Sequence, residues 1–307
     1  MLDDGSKDNT VAILESYKPR ISVLQQKNRG VAAARNALCS LATGDLIAFL
    51  DHDDAWHPDY LKTQSRLFAE HPEGAAFFTD HETFYGAEDF PQWKPMDEQK
   101  VLRLVLFSHI EFIRRYHQAM GPFMSMSFCC VPKTALQRLG QPFCEKVTGA
   151  DDTFIFHRLP FFGPVVYYPG KLAGYRIAIS AQSASRIIGN GRLVGAMERL
   201  GQYYNALQDA QLRATYRWAL AGDYRKYGKV LMCGGRAAEA RRQFFRSLTV
   251  SNNPASVVRS LGLLVVTFLP RPLQPRWPAT NTFEASKEEL GAGGPAPTVL
   301  AGYIISR

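Results

Sequence analysis

The chain has 307 residues, 46% hydrophobic and 21% charged, with 36 Lys and Arg against 28 Asp and Glu and a formal net charge of +8. This composition is globular and excludes a disordered, collagenous or fibrous chain. Five cysteines without a CxxC pair argue against a disulfide scaffold and a cysteine zinc site, so a reducing compartment is expected. The charge is unevenly placed: residues 1–185 hold 19 basic and 21 acidic side chains, a net of −2, whereas 186–307 hold 17 and 7, a net of +10.

The opening MLDDGSKDNT is polar and acidic, so no secretory leader is read there. No run of 18 apolar residues marks a bilayer span. In chain order, Val11, Leu14 and Tyr17 recur at helical spacing after the potential caps Asp8 and Asn9, predicting a helix over 8–17. A short strand is expected over 21–24, a turn at Asn28-Arg29-Gly30, and an Ala-rich helix over 31–41 closed by Gly44. Leu46–Leu50 is a continuous apolar run, the pattern of a strand buried on both faces. A helix over 58–70 and a buried strand over 75–79 follow. This alternation predicts an α/β protein with a doubly wound, mostly parallel sheet.

Further along, helices are expected over 100–116, 133–139 and 151–159, and strands over 123–131 and 165–168. After Gly189 the pattern turns helical, over 193–207, 212–227 and 236–248, with Gly228–Leu248 readable as one helical hairpin. From Pro270 the chain is rich in Pro and Gly and reads as a disordered tail. The organisation expected is a sheet domain over 1–188, a basic helical region over 189–269 and a tail over 270–307.

Three acidic groups stand out. Asp3-Asp4-Gly5-Ser6 precedes a helix, Asp51-His52-Asp53 leaves an apolar strand, and Asp151-Asp152 opens a helix. Ligands of open α/β sheets bind beyond the carboxyl ends of strands, which is where Asp51, Asp53 and Asp54 would stand. Clustered carboxylates repel one another unless a cation compensates, and their hard oxygens suit Mg²⁺ or Mn²⁺. Each group has a plainer reading: DDGS as a turn and cap, Asp151-Asp152 as a helix start that favours the dipole. An EF-hand over Asp51 fails, because Ala55, Trp56 and Lys62 occupy its fifth, sixth and twelfth positions. Phosphate-loop, dinucleotide, HExxH and GxSxG motifs are absent. Cys129-Cys130 reads as core, and Trp56 as packing or as an aromatic beside a sugar or base.

Taken together and in order, DDGSKDNT, QKNRGVAAARNAL, GDLIAFLDHDDAWHPDYL, MSFCCVPKTALQRLGQPF, GADDTFIFHRL and YYPGKLAGYRIAISAQSAS resemble the inverting glycosyltransferases of family 2, which have the GT-A nucleotide-sugar fold. The resemblance spans about residues 2–185. It implies that Asp3 and Asp4 line a nucleotide pocket, with Asp4 near the base or ribose, and that Arg35 lies beside the nucleotide. Asp51 and Asp53 become the DxD pair, with Asp53 the direct ligand of a Mg or Mn divalent cation bridging the diphosphate. Asp152 becomes the general base with Asp151 as its acidic neighbour, and Tyr175-Arg176 the late motif near the diphosphate. The implied partners are a nucleoside diphosphate sugar donor, with UDP as the nucleotide, and a glycan or lipid-linked acceptor in surface polysaccharide or glycolipid assembly.

Two departures accompany the resemblance. In the family an apolar strand, a helix and a second strand precede the acidic turn, so the expectation here is a GT-A-like sheet without its first strand. A truncated or misassigned reading frame would account for that. Ala178 stands where relatives often carry His, and Asp151 where Glu is usual. The alternative reading is an inactive remnant serving as a membrane-associated binding module.

Twelve basic side chains between Arg192 and Arg259 precede the apolar Leu261–Leu269 segment. They read either as a solvated helical face or as an attachment to an anionic membrane surface. The second reading would place the protein in the cytoplasm, peripheral at the inner face of the plasma membrane. No recognisable nucleic-acid motif supports nucleic acid as a partner.

Overall fold

A computed structural model describes residues 1–86, 88–94, 103–118, 124–147, 149–177 and 183–269. The tail expected over 270–307 and the Ala178 position lie outside the described residues. The chain opens with β1 (Leu2–Asp3), which pairs in parallel with β2 (Leu24–Gln25) as a separate two-stranded sheet. The strand expected over 21–24 is thus displaced to 24–25. Its ladder is set by β1: Leu24 N–H donates to the Met1 carbonyl and Gln26 N–H to that of Asp3. Between these strands runs α1 (Thr10–Ser16), and after them α2 (Val31–Leu41), which ends at Ala42 rather than at Gly44.

The main sheet contains β3 (Leu46–Ala48), β4 (Ala55–Trp56), β5 (Ala76–Phe84), β6 (Val105–Phe107), β7 (Cys129–Pro132) and β8 (Val165–Arg176). Its order is β3-β7-β5-β8-β4, with β6 also on β8. Within it only β5 and β8 pair in parallel, so the sheet is mixed rather than mostly parallel. The cause is insertion. β3 and β5, joined through α3 (Tyr60–Glu70), run the same way, as the strand–helix–strand pattern implies, but β7 enters between them antiparallel to both.

Both faces of the sheet are covered, and the side chains alternate between two buried clusters. Phe78, Cys129, Val165 and Tyr167 face one, while Phe77, Cys130, Val166 and Tyr168 face the other. Ile47 and Leu46 divide in the same way. Cys129 and Cys130 are therefore core, and burial pushes both thiols up.

In the middle of the chain three expectations change. Residues 105–107 are a strand, and helix α4 (His109–Gln118) starts only after a capping box. Ser108 N–H donates to the Glu111 carboxylate (2.9 Å) while the Ser108 hydroxyl faces Glu111 N–H (3.4 Å). The segment read as a strand from 123 contains a 3₁₀ turn, Met126–Phe128, capped by Ser125, and only then β7. After α5 (Lys133–Leu139), the helix expected over 151–159 is α6 (Asp151–Phe156), with a further 3₁₀ turn at Leu159–Phe161.

The C-terminal part is helical: α7 (Ser183–Asn205), α8 (Ala210–Cys233), α9 (Ala237–Val250) and α10 (Pro254–Val266). Helices α8 and α9 cross closely, since a Cβ on Gly228 would lie 2.4 Å from the Phe244 ring. These helices share a buried cluster with the sheet region, in which Ile113, Val147, Ala150 and Phe154 pack with Val194, Leu200, Tyr204 and Tyr216. Among the described residues no helix is long and apolar enough to cross a membrane.

Candidate active site

The site is assembled around one buried guanidinium. Arg35 projects from α2 and is only 7% exposed. Its Nη2 donates to both oxygens of Asp51 (2.8 Å each), in the turn after β3. Its Nη1 donates to Asp151 (2.5 Å) and to Asp152, at the start of α6. Three carboxylates from two distant stretches thus converge on one cation. Burial opposes the Arg35 charge, but Asp152, Asp51 and Asp151 outweigh it and hold the guanidinium in its charged form.

Asp152 is the perturbed member. Burial pushes its carboxyl up, Arg35 works against that, and Asp151 and Asp51 add to it, leaving it at about 6. Its Oδ2 accepts from Met126 N–H (3.1 Å), yet 27% of the side chain stays open to solvent. A carboxylate titrating near neutrality and open to an incoming molecule has the properties of a general base.

The 3₁₀ turn at 126–128 ties the two acidic stretches together. The Ser127 hydroxyl accepts from Asp51 N–H (3.0 Å) and bonds the Asp54 carboxylate. The Ser127 carbonyl accepts from the Trp56 indole (2.7 Å), and Trp56 stacks on Tyr60 at 4.6 Å. Of the two readings of Trp56, packing is the one these contacts describe. Asp54 also accepts from Arg176 N–H (3.0 Å), while Arg176 Nε donates to the Asp53 carbonyl (2.9 Å). The exposed Arg176 guanidinium therefore stands against the acidic turn. Sequence reasoning missed Ser127 because its segment read as an unbroken strand. The Ser125 cap, inside Met124-Ser125-Met126-Ser127, was the available signal.

The DDGS turn is organised by its own carboxylates. Asp3 is buried and accepts from Gly5 and Ser6 N–H (3.3 and 3.2 Å). Gly5 has φ +84°, and a Cβ there would lie 2.9 Å from Asn28 N, so the turn requires glycine. Asp4 reaches across to the 26–30 loop and accepts from the Gln26 amide (2.7 Å), Arg29 N–H (2.9 Å) and Gly30 N–H (2.8 Å). Burial opposes the ionised form, but those hydrogen bonds and the Arg29 charge leave the Asp4 carboxyl below its ordinary value. Both side chains are thus engaged in shaping a loop.

For a divalent cation, the donor set is the test. Among the described residues no three His, Cys, Asp or Glu side chains are grouped as a ready metal site. Asp51 has both oxygens on Arg35, whereas the half-buried Asp53 carboxylate has no hydrogen-bond or ion-pair partner among the described residues. One free hard carboxylate at the rim fits a cation that takes few protein ligands and completes its shell with phosphate and water.

Residues 1–136 match the family model for glycosyl transferase family 2. The chain is 27% identical over 188 residues to the putative glycosyltransferase EpsH of Bacillus subtilis (strain 168), covering 59% of this chain and 52% of that protein. It is 40% identical over 74 residues to the putative teichuronic acid biosynthesis glycosyltransferase TuaG of the same organism, covering 23% and 29%. The matched stretches of such curated relatives range from 9% to 52% of their length, so this chain spans at most about half of them. Among solved structures it resembles the mannosyltransferase PcManGT from Pyrobaculum calidifontis in complex with GDP-Man and Mn²⁺. The TM-score is 0.51 at 19% identity, over 88% of this chain and 71% of that one, a likeness of fold. The N-terminal part of the chain, residues 1–136, is thus similar to glycosyl transferase family 2.

Proposed function

We propose that the protein transfers a sugar, with inversion, from a nucleoside diphosphate sugar to a hydroxyl of a glycan or lipid-linked acceptor. UDP is the nucleotide to test first, and surface polysaccharide or glycolipid assembly is the setting. The observation that carries the proposal is the convergence of Asp51, Asp151 and Asp152 on Arg35, where burial pushes the Asp152 carboxyl up. The teichuronic acid named for TuaG supports a surface-polymer acceptor, and the GDP-Man and Mn²⁺ named for PcManGT agree with a nucleotide-sugar donor and a divalent cation.

In this reading Asp152 accepts the proton of the acceptor hydroxyl as it attacks the anomeric carbon from the face opposite the departing diphosphate. Arg35 fixes Asp152 and Asp151 against the acidic turn and keeps the base aimed. Asp4 holds the DDGS turn on the 26–30 loop, shaping the nucleotide pocket in which Asp3 has a backbone role. Asp53, with Asp51 beside it, would hold Mg²⁺ or Mn²⁺, whose charge would offset that of the leaving diphosphate. Arg176, against the Asp53 carbonyl, supplies a further positive group at the rim. Residues 1–188 form the transfer unit in this proposal and 189–269 the helical basic unit beside it, with the protein working on the cytoplasmic side.

The test is hydrolysis of a panel of nucleoside diphosphate sugars, UDP-sugars first, by the full chain with Mn²⁺. Turnover that vanishes with EDTA and falls at least about 100-fold in Asp53→Ala supports the proposal. No binding and no turnover with any donor would instead leave the inactive binding module as the reading.

A further inference from the structure

Helix α10 leaves a row of apolar side chains in solvent. The side it turns to the protein mixes apolar and polar residues: Leu263 and Leu264 pack on the cluster of α8 and α9, while Ser256 is 3% exposed, Ser260 is fully buried, and both hydroxyls accept from the Arg225 guanidinium (2.8 and 3.2 Å). Beyond the helix end Thr267, also buried, accepts from Arg241 Nε (3.2 Å). Helical periodicity puts Val258, Leu261 and Val265 on the opposite side, and there they are 68%, 50% and 55% exposed. Phe268 just beyond is 68% exposed, and Arg241 lies 4.6 Å over its ring. A surface helix normally buries its apolar stripe and shows its polar one to water.

Cations gather beside this ridge. Burial lowers the Arg225 and Lys229 pKa values, and in both the neighbouring Arg259 charge lowers them further. Arg259 is exposed on the flank of α10 and has no ion-pair partner among the described residues. Such a cluster of cations raises the energy of the protein in water and is relieved by anions outside it. An apolar ridge flanked by unneutralised cations complements a surface that is apolar below and anionic at its face.

We propose that α10 is an interfacial helix that lies in the plane of an anionic bilayer. Val258, Leu261, Val265 and Phe268 enter the acyl boundary, and Arg259 and Lys229 face lipid phosphates. The inference is independent of the transfer chemistry, and it assigns attachment to one ridge of one helix rather than to the basic region as a whole.

Sedimentation of the full chain with phosphatidylcholine vesicles containing about 30% phosphatidylglycerol tests it. Binding is expected with the mixed vesicles and not with pure phosphatidylcholine, decreasing with salt. Leu261→Glu should weaken it about tenfold or more, and Arg259→Glu less than that. Both variants change exposed positions, so an unchanged helical circular dichroism signal shows that the fold is intact. Absence of binding to the mixed vesicles, or binding unaffected by Leu261→Glu, would overturn the proposal. A lipid-free dimer that dissociates in Leu261→Glu would also overturn it, by assigning the ridge to a second copy of the chain.

Discussion

Two buried polar clusters flank the short helix α6, and they are built to opposite rules. At its start, three carboxylates share the single guanidinium of Arg35, and Asp152 keeps a side open to solvent. At its end, His157 Nε2 meets His117 Nε2 (2.8 Å), and His117 Nδ1 meets Asp223 (3.3 Å), with Lys226 Nζ 3.7 Å from the same carboxylate. The Tyr204 hydroxyl donates to the His157 carbonyl, so it accepts from His157 Nδ1–H (3.1 Å). This second cluster sets one carboxylate against two basic side chains, with Asp223, His117 and His157 buried and Lys226 reaching in from the surface. A buried network whose carboxylate is outnumbered by basic partners holds elements together, whereas one with surplus negative charge and an open member suits a ligand. Position along α6 separates the two roles: its first residues carry the proposed chemistry, and the residue closing its end serves the packing of α4, α7 and α8.

The largest break in this comparison is Arg35→Ala. It leaves three neighbouring carboxylates without their cation, so we expect about 3–5 kcal/mol lost in urea unfolding and no detectable turnover. Asp152→Asn sharpens the contrast from the other direction. Turnover should fall about 10²- to 10⁴-fold while unfolding stability is kept, because a repelling charge is removed. His157→Phe, in the second cluster, should cost about 1–3 kcal/mol of stability and leave the activity per folded molecule unchanged.

The pH dependences also separate the clusters. Burial, joined for His157 by the charges of His117 and His109, keeps His157 well below its ordinary value and holds His109 at about 4, so the folded state keeps both rings neutral. The unfolded chain protonates these rings below about 6.5, so that part of the stability is complete above 6.5 and drains away as pH falls toward 4. Asp152 behaves in the reverse sense. Its raised value favours the folded state at low pH and loses that contribution as pH rises toward 6, while its competence as a base grows across the same range. Thermal unfolding from pH 4 to 8 reads the first effect. The smallest expected effect is that of Gly149→Ala, about 1–2 kcal/mol. Gly149 has φ +71°, and a Cβ would lie 2.7 Å from the Arg192 guanidinium on α7, so the change strains the loop that delivers Asp151 and Asp152.

The sequence made the acidic residues legible because carboxylates at strand ends and helix starts are unusual enough to mark, and their order resembles one family. It did not show that Arg35 would bind Asp51, Asp151 and Asp152 at once, since that meeting joins α2 to residues more than 100 positions away. Nor could it reveal the insertion of β7 between β3 and β5, because strand order depends on packing partners rather than on local pattern. Ser127 was hidden for a related reason, lying in an apolar run whose short 3₁₀ turn has no periodicity of its own. In the C-terminal region the helical phase was readable over 193–248. The outward direction of the α10 ridge was not, because an apolar segment ordinarily turns inward.

The pH–rate profile of donor turnover by the full chain, measured beside Asp152→Asn, tests whether Asp152 is the base. The account predicts a wild-type rate that rises to a plateau through a midpoint near 6, and a variant at least about 100-fold slower without that rise. A variant that turns over donor at the wild-type rate, with the same midpoint, would contradict it.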